Sequence, residues 1–156
     1  GADGRYVPQI PDRAESLMPY IINMLRWTML LVAIGTMLGA RWADYSWGRF
    51  WGWDPKEVWA LITLLFYLIV LHGRAARYYG NFGAMLGALF GAITIIMTWY
   101  GANVIFKGSR HAYGGADTSF ETTILLVFIG VNLFWGCLAL IRYMEQKTRA
   151  DLRNYH

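Results

Sequence analysis

The sequence predicts an all-α integral membrane helical bundle, with about four transmembrane helices and a tryptophan-rich outer loop. Three observations carry that reading. First, residues 20–40, 57–73, 82–106 and 121–141 are apolar runs, each near the roughly 20 residues a helix needs to cross a bilayer. Second, 56% of the 156 residues are hydrophobic and only 15% are charged. Third, the charges gather between the apolar runs and at the chain ends. A soluble bundle of this composition would have to bury apolar surface on every side of each helix, and a chain this short has too little interior for that.

The elements follow in order. Residues 1–19, GADGRYVPQIPDRAESLMP, form a polar lead-in punctuated by Pro8, Pro11 and Pro19, without the apolar core of a signal peptide. A chain that opens at Gly1 reads as a processed product or a piece of something longer. The first span, YIINMLRWTMLLVAIGTMLGA, carries Arg26 near one end, where it can snorkel to the headgroups. A tryptophan-rich loop follows. The second span starts at Asp54-Pro55-Lys56-Glu57. Asp54 can cap the helix, Pro55 suits the first turn, and Glu57 completes a capping box. A polar turn, RAARYYGN, leads to the third span, where Gly83, Gly87 and Gly91 share one face and invite close helix packing. A second outer loop, KGSRHAYGGADTS, precedes the fourth span. The membrane domain is expected over residues 20–143 and a basic cytoplasmic tail over 144–156.

Lysine and arginine placement sets the expected orientation. The tail carries Arg142, Lys147, Arg149 and Arg153, and the short turn carries Arg74 and Arg77. With four spans, both fall on the side of the N-terminal segment, which is assigned to the cytoplasm. Arg41, Arg49, Lys56, Lys107 and Arg110 lie opposite, so the bias is moderate and rests mostly on the tail. The net charge of +4 reflects these anchors, and nothing in the chain reads as a nucleic-acid binder. Cys137 stands alone in the last span, which excludes an internal disulfide; it is expected to be a small buried residue.

Trp27, Trp99 and Trp135 read as ordinary interfacial residues at span ends. Trp42, Trp47, Trp51, Trp53 and Trp59 are denser than an aromatic belt requires. Interleaved with Gly48 and Gly52, they read as a shelf for a large flat apolar ligand, with sterols and quaternary amines as other users of such rings. Histidine within lipid is costly, which makes His72 a candidate functional group; the plainer alternative has it snorkelling beside Arg74. His111, in the second outer loop, gains interest only if the shelf takes a metal-bearing ligand; His156 is terminal. His72 lies 18 residues beyond Asp54, about 27 Å along a helix. His72 and His111 therefore cannot ligate one metal, and two sites would be needed.

The stretch WGRFWGWDPKEVWALI resembles the tryptophan-rich signature of the haem-handling cytochrome c biogenesis proteins, through Trp47-Gly48, Trp51, Trp53-Asp54-Pro55-Lys56-Glu57 and Trp59-Ala60-Leu61-Ile62. Within that family it looks most like the CcsA (ResC) branch of the system II machinery. YLIVLHGR resembles the helix with the branch's intramembrane histidine, and MTWYGANVIFKGSRHAYG resembles its later outer loop. The resemblance covers residues 20–143 and implies haem delivery to the outer face, where vinyl groups are joined to CxxCH cysteines of apocytochrome c. It implies transient, non-covalent haem b, with His111 as an axial ligand at the outer site and His72 at the intramembrane site. Trp42, Trp47, Trp51, Trp53 and Trp59 would form the haem platform, with Asp54 present as a helix cap rather than a ligand. Arg49, Lys56 and Arg110 would be candidate propionate contacts. No catalytic side chain stands out, and the implied enzymatic role is as a component of a holocytochrome c synthase.

The chain departs from the family pattern in having no histidine before His72. It therefore reads as a C-terminal half or a split subunit, with a CcsB (ResB)-like partner or a missing N-terminal half supplying the other axial ligands. The implied location is the bacterial inner membrane with the tryptophan loop facing the periplasm, or a thylakoid membrane. Alternatives are a CcmC-like subunit that loads a haem chaperone, and a non-haem structural subunit whose tryptophans dock a partner or lipid. A quinone-linked redox subunit fits less well, because no intramembrane histidines pair at one depth.

Overall fold

The computed structural model describes residues 12–106 and 119–154. Every regular element among them is helical: α1 (Asp12–Ser16), α2 (Met18–Trp47), α3 (Pro55–Ala75), α4 (Asn81–Ile96), α5 (Ala102–Val104) and α6 (Ser119–Asn154), with a π-helical turn, Met97–Gly101, joining α4 to α5. Met18–Trp47, Pro55–Ala75, Asn81–Val104 and Ser119–Asn154 are each long and apolar enough to cross a membrane. The expected all-α membrane bundle of four spans is observed.

Two helices run further than their apolar cores. α2 continues through Trp42 to Trp47, so these two rings sit on a helix rather than in a loop. No glycine or proline interrupts residues 41–47, and Arg41 pairs with Asp44 one turn on at 2.8 Å. The stop is Gly48, whose left-handed φ of 66° lets its N–H bond the Asp44 carbonyl at 2.9 Å. α6 likewise continues to Asn154, so residues 144–154 of the basic tail are helical.

The start of α3 follows its sequence signal. Asp54 takes extended backbone geometry, its carboxylate accepts from the helix start, and Glu57 returns the bond to the Asp54 N–H at 3.1 Å. The carboxyl-terminal turn is also pinned. Arg77 is left-handed, with φ of 61°, and the Tyr79 hydroxyl donates to the carbonyls of Val70 at 2.6 Å and Ile69 at 3.1 Å. Burial pushes the Tyr79 phenol above its ordinary pKa, an effect opposed by a hydrogen bond from the Arg74 backbone.

The glycine face of α4 meets α3 as the spacing predicts. A Cβ on Gly87 would strike Val70 of α3 and one on Gly91 the Tyr67 ring of α3, while one on Gly83 would strike Tyr79 in the turn that precedes α4. At the next turn Thr63 and Thr98 share a hydroxyl–hydroxyl bond of 3.0 Å. Gly136 of α6 receives Phe90, and Phe82 stacks on Tyr143 with centroids 4.1 Å apart. Contacts at both ends set the antiparallel course. Lys56 reaches Asn103 at 3.5 Å at the tryptophan end, and Asn81 reaches Glu15 at 3.4 Å at the other.

The core is narrow. Leu25, Tyr67 and Val70 form its buried centre, with Ile21, Met29, Phe66 and Ala88 packed around them. The outer faces keep Met24, Trp27, Leu31, Ile34, Phe134 and Trp135 exposed, and Cys137, expected to be buried, is exposed among them. In water such continuous apolar faces would be strongly unfavourable; in a bilayer they are the solvated surface. Only 6% of the most apolar window of α2 is buried within the bundle.

Candidate functional site

The tryptophan segment is built on the start of α3. A single oxygen of Glu57 accepts from the Gly52 N–H at 2.8 Å and the Asp54 N–H at 3.1 Å. Between these peptides Trp53 is held at φ of 57°, a left-handed conformation uncommon for a bulky residue. The residue is 70% exposed and its ring meets Trp51 edge-on, with centroids 6.1 Å apart at 88°. Trp42 and Trp47 make a similar pair at 5.0 Å and 77°. The rings therefore form two edge-to-face pairs rather than one flat sheet. Asp54 is 7% exposed and serves as the cap.

Beneath these rings lies an open cavity of about 430 Å³ between α2 and α3. Gly35, Gly39, Ala40, Trp42 and Ala43 line it from α2; Lys56, Glu57 and Ala60 of α3 face them, and Trp51 and Thr98 also contribute. A Cβ on Gly35 or Gly39 would meet nothing within 4 Å, so the small residues leave real space. Trp47, Trp53 and Trp59 do not line this cavity; Trp47 and Trp53 buttress the two that do, and Trp59 is half-buried on α3. Lys56 lines it. The Arg49 guanidinium lies against Gly52, and its Nε is buried without a hydrogen-bond partner among the described residues. His111 and Arg110 lie outside the described residues.

A second cavity, of about 370 Å³, opens at the other end of the same helix pair. Ile22 and Arg26 come from α2; Leu71, His72, Arg74 and Ala75 come from α3. The His72 ring lies 2.8 Å from the Leu68 carbonyl through Nδ1. A carbonyl only accepts, so Nδ1 carries the proton. In the neutral ring Nε2 then holds the lone pair, as a metal-ligating histidine requires. The sequence pointed to His72, but Arg26 read as a snorkelling anchor and Arg74 as an orienting charge. Only the pairing of α2 with α3 shows that both share a cavity with the imidazole.

Comparison with known proteins fits this architecture. The family description "Cytochrome C assembly protein" matches residues 12–109. Protein NrfI of Wolinella succinogenes is 42% identical over 91 residues, covering 57% of this chain and 10% of that protein. The cytochrome c biogenesis protein CcsA of a Synechococcus species is 39% identical over 104 residues, covering 66% of this chain and 32% of that one. CcsA of Agrostis stolonifera is 37% identical over 109 residues, covering 70% and 33%. The chain thus spans about a third of the length of these CcsA relatives and a tenth of NrfI. No solved structure matches it. With the family description covering more than half of its length, the chain belongs to the cytochrome c assembly protein family.

Proposed function

We propose that the chain handles haem for cytochrome c biogenesis, taking it up at His72 and presenting it beneath the tryptophans at the opposite face. The observation that supports this best is the pair of cavities along one α2–α3 interface, one beside a histidine with Nε2 available and one walled by indoles. The donor chemistry suits the cargo. Haem is flat and apolar over most of its area, has an iron that takes an axial nitrogen, and carries two carboxylates. At the outer site His111 would hold the iron, Trp42 and Trp51 would wall the porphyrin, and Arg49, Lys56 and Arg110 would pair with its propionates. Asp54 and Glu57 keep the segment folded.

Haem is the substrate here, bound transiently and without covalent attachment to this chain. The thioether bonds form between its vinyl groups and the CxxCH thiols of apocytochrome c, so the protein's part is orientation and exclusion of competing poses. The remaining axial ligands come from a CcsB (ResB)-like subunit or from the rest of a longer chain. The outer face is the periplasmic side of the bacterial inner membrane or the lumenal side of a thylakoid. The relatives named CcsA favour this reading over haem transfer to a chaperone.

The test is maturation of a co-expressed apocytochrome c by the complete complex, with Trp42→Ala and Trp51→Ala beside the parent. Attached haem is expected to fall at least several-fold in each variant while the complex still assembles. Unchanged attachment in both would point instead to a tryptophan segment that docks a partner or lipid.

A further inference from the structure

We propose that Arg26 and Arg74 clamp the two propionates of haem at the inner cavity while His72 holds its iron, so that this site selects a tetrapyrrole with free carboxylates. The inference rests on the haem reading above. It assigns a role to two residues that otherwise look like positional charges.

Arg26 is the odd residue of α2. It lies eight positions after Met18, where the helix begins, about 12 Å along its axis. That position is level with the last turn of α3, where Arg74 and Ala75 line the same cavity. Arg26 faces the cavity, and its described bond is to the neutral Asn23 amide at 3.3 Å. Arg74 reaches the same cavity from α3, two residues beyond His72. Among the described residues neither guanidinium is paired with a carboxylate.

The remaining lining is apolar: Ile22, Leu71 and Ala75. The cavity therefore offers an apolar wall, one nitrogen lone pair and two positive forks. That set matches a flat ring with a central metal and two carboxylates on one edge. A guanidinium presents donors in a planar fork that fits a carboxylate, and such charge-assisted bonds are among the stronger ones. Arginine should therefore outperform lysine at both positions. The arginines come from different helices, so a bound dicarboxylate would also bridge α2 and α3.

The experiment uses the complete complex in phosphatidylcholine nanodiscs, in a His111→Ala background so that the inner site is read alone. Haem and its dimethyl ester, whose carboxylates are capped, are titrated and followed by the Soret band. The parent is expected to bind haem about ten-fold or more tightly over the ester, the scale of one strong charge-assisted pair. Arg26→Gln/Arg74→Gln should lose that preference yet keep a Soret band that depends on His72. Arg26→Lys/Arg74→Lys should keep part of it, which guards against a folding defect. A preference that survives the double glutamine change, or a parent that binds ester as well as haem, would overturn the clamp while leaving haem handling intact. A preference abolished when anionic lipid replaces phosphatidylcholine would assign the arginines to lipid phosphate instead. A parent with no His72-dependent Soret band for either ligand would overturn both readings.

Discussion

The Glu57 carboxylate holds the peptides on both sides of Trp53, accepting from Gly52 and from Asp54 with one oxygen. The same side chain caps α3 and fixes Trp53 in a left-handed backbone with its ring outward. Glu57→Ala is therefore expected to do more than fray a helix. It should cost about 1–3 kcal/mol, the scale of stranded, part-buried N–H groups, and should lower haem retained at the outer face. Thermal unfolding of the purified complex and its haem content check the two effects.

The backbone at Trp53 gives a sharper contrast. Trp53→Ala and Trp53→Gly both remove the ring, but only glycine adopts positive φ freely. Trp53→Gly should be more stable than Trp53→Ala by about 1 kcal/mol, the cost of the left-handed region for an L residue. The order of their unfolding temperatures decides it. The reverse order would mean that the turn relaxes once the indole is gone.

Packing between α3 and α4 makes a second contrast. A side chain at Gly91 would strike the Tyr67 ring, whereas one at Gly130 of α6 meets nothing within 4 Å. Gly91→Leu is expected to cost about 1–3 kcal/mol through overpacking. Gly130→Ala should gain about 0.5–1 kcal/mol, because alanine loses less backbone freedom in a helix. Denaturant or thermal midpoints of the two variants should move in opposite directions.

The Tyr79 hydroxyl ties the turn after α3 to two carbonyls just before His72. Tyr79→Phe should cost about 1 kcal/mol and weaken haem binding at the inner cavity. The folded-state pKa of this phenol is raised by burial. Its contribution is then fully present below the unfolded value and is lost as pH rises through the folded one. Unfolding midpoints of parent and Tyr79→Phe should therefore converge only in alkaline solution.

Much of the fold was legible because its signals are local. Apolar length marks the spans, Asp54-Pro55-Lys56-Glu57 marks the start of α3, and the Gly83, Gly87 and Gly91 spacing marks a packing face. Less legible was the length of α2. Trp42, Asp44, Tyr45 and Trp47 read as loop residues, yet they continue a helix because no breaker comes before Gly48. The second bond of Glu57, to Gly52, was hidden because a capping box specifies only the bond to Asp54. The inner cavity was hidden for another reason. Arg26 and His72 lie 46 residues apart, and no periodicity brings them together; the register of α2 on α3 does. Sequence spacing identified the tryptophans as a group but not their edge-to-face pairing, which depends on the turn through Gly48 and Trp53.

The most direct test of haem handling through two sites is the absorption spectrum of the purified complete complex, with His111→Ala and His72→Ala beside the parent. A low-spin haem band is expected in the parent, with a weakened or shifted band in His111→Ala and a lower haem content in His72→Ala. Identical spectra and haem content in all three proteins would contradict haem handling through two sites.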